Sequence, residues 1–143
     1  DDEALARPLR AARAVGLGYL VLRQPAYALS GGEAQRLKIA RELSRQSSGD
    51  TLYILDEPSV GQHLDDVERL NGVLRRLVEA GHSVFVAEHH PHVLAACDWL
   101  VELGPGGGPD GGRVIAAGAP EDLARGSTPI AAYLRAVLRE GGT

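Results

Sequence analysis

Residues 52–58 read LYILDEP, and this stretch decides the fold that the sequence predicts. Four apolar residues are followed abruptly by Asp56, Glu57 and Pro58. An uninterrupted apolar run of this length is typical of a strand that is buried on both faces inside a parallel sheet. We therefore expect a buried strand whose last residues present two carboxylates to solvent.

The two acids suit phosphoryl transfer. That reaction needs a positioned water and metal ion more than covalent chemistry. Asp56 could help to hold magnesium, and Glu57 could orient and deprotonate the attacking water. Two acids after a strand could equally begin an ordinary loop, so the neighbouring segments decide between these interpretations.

A helix and a second strand follow the acids. Leucine and valine recur at helical spacing from Leu64 to Val78, and Gly81 is a natural helix stop. Residues 84–87 read VFVA, a second apolar run, and His89 lies just beyond it. A right-handed βαβ crossover brings both strand ends to one edge of the sheet, so Asp56, Glu57 and His89 are expected to meet there.

A capped helix precedes the first strand. Ser30-Gly31-Gly32-Glu33 is a capping box, with serine at the N-cap and glutamate at N3, and it predicts a helix over 31–46. The backbone N–H groups at its start, next to two glycines, could receive a phosphate. An isolated SGGE stretch could be only a helix cap, but its order before the two strands favours a nucleotide site. The expected buried face consists of Ala34, Leu37, Ala40 and Leu43.

The outer segments give weaker predictions. Residues 4–15 indicate a short helix interrupted near Pro8. Residues 99–103 and 113–117 flank a glycine-rich turn and predict an antiparallel hairpin. Pro129 opens an amphipathic C-terminal helix; its expected apolar residues are Ile130, Tyr133, Leu134, Val137 and Leu138.

Composition limits the function classes. The 143 residues carry a formal net charge of -4, so any nucleic-acid contact must come from a local patch or from additional sequence. Cys97 is the only cysteine, which excludes an internal disulfide and favours a small buried side chain. Lys38 is the only lysine, so the phosphate-binding pattern G-x-x-x-x-G-K-[ST] is absent. The chain lacks methionine and a membrane-spanning apolar run, so we expect an excised piece of a cytoplasmic protein.

Three motifs resemble those of ABC ATPases. Residues 29–37 are similar to the signature motif, residues 52–58 to Walker B and residues 88–90 to the switch-histidine segment. Within that family the chain most resembles the C-terminal nucleotide-binding domain of the A subunit of the bacterial UvrABC excinuclease. The further segments that carry this likeness are 16–19, 61–63, 98–105 and 111–112.

The resemblance implies an α/β fold. We expect a fragment of a P-loop NTPase, ABC-type nucleotide-binding domain, with a parallel sheet core, helices and a C-terminal antiparallel hairpin. Residues 1–143 would form the part of one domain that runs from the signature motif to the C-terminus, without the P-loop. Alone, this part is expected not to hydrolyse ATP.

The resemblance also implies roles and partners. Glu57 and His89 would be catalytic, Asp56 would bind Mg²⁺, and ATP would contact a set of residues from two loops, namely Ser30, Gly31, Gly32, Glu33, Gly61 and His63. Zinc is expected only in segments outside this chain. The partners would be DNA, a second ABC domain in the same chain or in a homodimer, and the downstream excinuclease subunit, with no membrane.

Several alternatives stay open. Gln62 stands where the family generally has leucine, and His90 where it often has asparagine or aspartate, which fits a divergent paralogue associated with resistance to DNA-binding drugs. An ABC transporter ATPase and a non-catalytic docking module are further alternatives. The cluster of His89, His90 and His92 could also indicate a metal site.

Overall fold

A computed structural model describes residues 2–44, 50–108 and 111–140. The chain divides into two compact units, Asp1–Glu88 and His89–Thr143. Among the described residues, no helix combines the length and apolar character needed to cross a membrane.

The first unit is a helix-covered parallel sheet. Strands β1 (Leu52–Asp56) and β2 (Ser83–Ala87) pair in parallel, with Asp56 opposite Ala87 at the end of the register. This confirms the predicted pairing of the two apolar runs. In chain order the elements are α1 (Asp2–Ala14), a 3₁₀ turn (Ala26–Ala28), α2 (Gly31–Ser44), β1 (Leu52–Asp56), α3 (Leu64–Glu79) and β2 (Ser83–Ala87).

The helices pack against only one face of this sheet. Tyr53, Leu55, Val84 and Val86 contact a buried cluster contributed by α1, α2 and α3. Alternate residues on the other face, Leu52, Ile54 and Phe85, are 61%, 71% and 60% exposed. The prediction that the strands are buried on both faces is therefore wrong for this unit, because its helices supply one apolar layer and not two.

The helix predictions need two corrections. On α2 Ala40 is buried and Leu43 packs against the core as predicted, whereas Leu37 is exposed, and Arg36 and Ile39 are buried in addition. α1 is continuous through Pro8, which removes one backbone donor of the helix, and the following turn packs into the core at the buried Ala11. The predicted helix over 31–46 is observed to Ser44, and its last two positions lie outside the described residues.

The second unit is an antiparallel hairpin packed with short helices. Strand β3 (Leu100–Gly104) pairs with strand β4 (Arg113–Gly118), and a register shift occurs between Glu102 and Leu103. The hairpin prediction is confirmed. The elements are α4 (Pro91–Ala95), β3 (Leu100–Gly104), β4 (Arg113–Gly118), α5 (Pro120–Ala124) and α6 (Pro129–Glu140); α5 was not predicted.

The core of the second unit joins β3, α5 and α6 through Leu100, Leu123, Ala124 and Leu134. Tyr133 is 62% exposed, so it does not belong to the predicted apolar face of α6. The start of α6 is held by Glu102, whose Oε1 accepts a hydrogen bond from the Ile130 N–H at 2.9 Å. A carboxylate at a helix N-terminus also interacts favourably with the helix dipole.

Cys97 is half-buried in the second unit. Its Sγ lies 3.1 Å from the Leu94 carbonyl oxygen and 3.3 Å from that of Trp99. Burial raises the pKa of the thiol, so the protonated form predominates at neutral pH. The side chain therefore acts as a small packed group, as the sequence predicts.

Candidate functional site

The end of β1 presents the two acids together. Asp56 is the last strand residue, and Glu57 follows it with its N–H donating to the Ala87 carbonyl at 2.8 Å. Both acidic residues are exposed. Glu57 has a φ of 43°, in the left-handed region that side-chain-bearing residues rarely adopt. The turn therefore holds Glu57 at the strand end in a strained conformation.

A second contact fastens the same loop to β2. Ser59 is buried, and both its N–H and its hydroxyl donate to Oε1 of Glu88, the N–H at 2.9 Å. Glu88 directly follows β2. The loop after Glu57 is thus tied to the end of the neighbouring strand by Glu57 and by Ser59.

Gln62 tightens this loop from within. Its Nε2 donates to the Pro58 carbonyl at 2.6 Å, and its N–H donates to the Ser59 carbonyl at 3.1 Å. Within the described part of the chain, its buried Oε1 has no hydrogen-bond partner. Gly61 adopts a φ of 72°, a conformation that suits glycine, and His63 is the N-cap of α3 without a side-chain cap bond.

The capping box at the start of α2 is confirmed. The Glu33 N–H donates to Ser30 Oγ at 3.2 Å, and the Ser30 N–H donates to Glu33 Oε2 at 2.7 Å. The Tyr19 hydroxyl donates to the other oxygen, Glu33 Oε1, at 2.6 Å. The first-turn N–H groups of Gly31 and Gly32 have no acceptor inside the helix and point out of its N-terminus.

These contacts shift the ionisation of two residues. The Tyr19 hydroxyl and then the Ser30 N–H bind the charged Glu33 carboxylate and lower its pKa. The hydrogen bond to that carboxylate, together with desolvation, raises the pKa of Tyr19. At neutral pH the pair is therefore a neutral tyrosine that donates to a charged glutamate.

Gln35 links α2 to β1, the strand that ends in Asp56. We call α2 the signature helix, because residues 29–37 resemble the signature motif. Its Nε2 donates to the backbone carbonyl of Asp56 at 2.7 Å. Gly32 lies close to the loop after β1, since a Cβ built on it would be 3.3 Å from the Val60 carbonyl oxygen. A side chain at position 32 would crowd that contact.

The histidines that the sequence analysis considered as site residues belong to different units of the chain. His63 belongs to the first unit, whereas His89 opens the second unit, two residues along the chain from Ala87. The rings of His90 and His92 are 5.6 Å apart between centroids. Within residues 2–44, 50–108 and 111–140, no group of three histidine, cysteine or acidic side chains could hold a metal ion.

The structure thus joins the signature helix and the acidic pair within one unit. These segments are supported by Tyr19, Gln35, Ser59 and Glu88, none of which was assigned a role in the sequence analysis. Tyr19, Gln35 and Glu88 lie in segments that resemble the family, whereas Ser59 lies outside these segments. Ser59 and Glu88 are 29 positions apart, so no local pattern predicts their contact.

Comparison with known proteins gives a consistent assignment. No protein-family model matches the chain. UvrABC system protein A from Aquifex aeolicus is 51% identical over 141 residues, or 98% of the chain, and the protein from Methanothermobacter thermautotrophicus is 52% identical over 134 residues, or 94%. The chain is therefore similar to one part of UvrABC system protein A. It spans 15% and 14% of the length of these two curated relatives.

Solved structures agree with the relationship to UvrABC system protein A. The crystal structure of UvrA2 from Deinococcus radiodurans matches 95% of the chain and 17% of its own length, with a TM-score of 0.86 and 52% identity. A bacterial Atm1-family ABC exporter with ATP bound matches 91% of the chain and 23% of its own length, with a TM-score of 0.64 and 23% identity. The fold is therefore that of an ABC-type nucleotide-binding domain.

Proposed function

We propose that the chain is the part of one nucleotide-binding domain, from the signature motif to the C-terminus, of a DNA-damage-recognition ATPase of nucleotide excision repair. The 51% identity to UvrABC system protein A supports repair over transport, because the exporter of the same fold is 23% identical. A UvrA2-like protein is the second candidate, since UvrA2 is 52% identical.

The observation that carries the catalytic proposal is the fixed position of Glu57. Its N–H is bonded to the end of β2, its backbone is in the left-handed region, and its carboxyl is exposed at the strand end. A general base must present its carboxylate to a water in a defined direction. We assign Glu57 this role. The catalytic role of His89, a hydrogen bond to a phosphate oxygen, stays a prediction from the family resemblance.

The residues present fit magnesium and ATP. Mg²⁺ retains several waters and takes one or two protein carboxylates together with phosphate oxygens, so the exposed Asp56 can suffice as the protein ligand. Bound magnesium would neutralise charge on the phosphates.

The signature helix serves a different nucleotide in this proposal. The N–H groups of Gly31 and Gly32, with Ser30, would receive the phosphates of ATP held by an opposing domain. Glu33 would contribute by fixing the start of the helix, because its two oxygens already accept bonds from Tyr19 and Ser30. Gly61 and His63, in the loop after β1, would face the same opposing domain.

The partners follow from this arrangement. The opposing domain would be a second ABC domain of the same chain or of a homodimer. DNA and the downstream excinuclease subunit would bind the complete protein, which we place in the cytoplasm. ATP binding would close the two domains and hydrolysis would reopen them.

The test is Glu57→Gln in the complete natural protein. We expect ATP hydrolysis to fall by roughly a hundredfold or more, the scale for losing a general base, while ATP binding is retained. Glu79→Gln, at the exposed end of α3, is the control and should keep the parent rate. Hydrolysis should also respond to damaged duplex DNA. If Glu57→Gln left the rate of ATP hydrolysis unchanged, another residue would be the general base. If damaged DNA did not change the rate of ATP hydrolysis, the repair assignment would be refuted.

A further inference from the structure

An open cleft of about 880 Å³ lies in the first unit between α1, the turn that follows it, and α3. Its charged lining consists of four arginines, Arg10, Arg13, Arg69 and Arg76, and one acid, Asp66. All four arginines are exposed. The cleft is thus a positive concavity on a chain whose formal net charge is -4.

Two of the arginines are available for an external anion. Arg10 pairs with Glu3, and Arg69 pairs with Asp66 at 3.0 Å. Arg13 and Arg76 form no ion pair with any residue that the structure describes. Because both remain charged at every physiological pH, the cleft attracts anions without depending on protonation.

The lining fits a chain of phosphates better than a compact ligand. Arg69 and Arg76 are seven residues apart on α3, which is about 10.5 Å along the helix axis. Three of the lining residues, Gly16, Gly18 and Gly72, have no side chain, and Tyr19 is the only large ring in the lining. Small-molecule pockets are mostly lined by apolar and aromatic groups, whereas contacts to a nucleic-acid backbone come largely from arginine and lysine.

We propose that this cleft binds the phosphodiester backbone of DNA. The inference rests on the proposed function, in which the complete protein binds DNA, and it specifies a surface that does so. The formal net charge of -4 argues against a basic surface that covers the whole chain. It is compatible with a basic cleft that covers only a small part of the surface. The planar guanidinium groups of Arg13 and Arg76 each offer two parallel N–H donors to phosphate oxygens.

The test combines Arg13→Gln and Arg76→Gln in the complete natural protein. The Kd for a fluorescently labelled duplex is measured by anisotropy at several salt concentrations. We expect weaker binding, and a slope of log affinity against log salt that is smaller by about 1 for each arginine removed. Both residues are exposed, so the melting temperature should not change.

The matched control combines Arg23→Gln and Arg139→Gln, two exposed arginines that do not line the cleft. It removes the same charge and should keep the parent affinity and slope. Equal losses in both double variants would refute the cleft as a site, as would unchanged binding by the Arg13 and Arg76 variant. If the parent protein does not bind DNA, the proposed function fails and this inference fails with it.

Discussion

At the residue scale, Glu57 depends on its neighbours for its position. A side-chain-bearing residue in a sparsely populated backbone region costs on the order of 1–3 kcal/mol, and it persists only where the surroundings hold it. The bond from its N–H to Ala87 and the two bonds from Ser59 to Glu88 supply that constraint. Glu88 is therefore a positioning residue for the proposed base.

We predict that Glu88→Ala lowers kcat for ATP hydrolysis in the complete protein by about tenfold or more, since small displacements of catalytic groups have effects of this size. The KM for ATP should change little, because Glu88 is not assigned to nucleotide binding. Glu88→Gln should recover most of the rate, since its amide oxygen can still accept from Ser59. Steady-state kinetics at saturating DNA provides the measurement.

The control for this prediction is Glu68→Ala, on the exposed surface of α3. It should keep the parent kcat. If Glu88→Ala raised KM and left kcat unchanged, Glu88 would belong to nucleotide binding, and the positioning role would be incorrect.

At the element scale, the start of α2 is held by ionised Glu33. The pKa of Glu33 is lowered in the folded chain, chiefly by the Tyr19 hydroxyl. A carboxyl with a lowered folded-state pKa contributes stability above its unfolded pKa, and this contribution is lost as pH falls through the folded value. The start of the signature helix should therefore weaken in acid.

We predict that Glu33→Gln lowers the melting temperature of the chain at pH 7 and that the difference from the parent shrinks as pH falls below the ordinary pKa of a glutamate side chain towards pH 3. Thermal unfolding followed by circular dichroism checks this prediction. Glu68→Gln is the comparison, because no described residue forms a hydrogen bond or ion pair with Glu68. A difference that stays constant from pH 7 to pH 3 would show that the charge of Glu33 is not responsible.

At the scale of the whole molecule, the open face of the sheet carries a prediction about the domain. Leu52, Ile54 and Phe85 form an apolar surface that the described helices leave exposed. If the chain is part of a larger nucleotide-binding domain, as proposed, the rest of that domain covers this face.

We therefore predict different effects of the double variant Ile54→Thr and Phe85→Thr in the isolated chain and in the complete protein. In the isolated chain the double variant should reduce self-association, measured by analytical ultracentrifugation. In the complete protein it should destabilise the domain by roughly 4 kcal/mol or more, because truncating each large buried apolar side chain costs about 2–5 kcal/mol. Leu22→Thr, at a position 85% exposed in a loop, is the control. Unchanged or increased stability of the complete protein would mean that the face is solvent-exposed there.

Local signals explain which parts of the fold the sequence predicts. The capping box of Ser30 and Glu33 spans four residues, and the strands and α3 are marked by continuous or periodic apolar residues. Burial is less predictable because it depends on the partner layer: Leu37 is exposed, and Ile54 faces outward although its strand reads as fully apolar. The contact between Ser59 and Glu88 exists only after β1 and β2 pair.

The bond from Gln35 to the Asp56 carbonyl has a consequence for timing. Gln35 is four residues after Gly31, so about 6 Å of helix separates the proposed contact with one ATP from the strand end that serves another. A shift of α2 when its own phosphate contact forms would pull on the backbone beside the acidic pair. ATP hydrolysis at the two nucleotides would then be coupled through one turn of α2 and the hydrogen bond from Gln35 to Asp56.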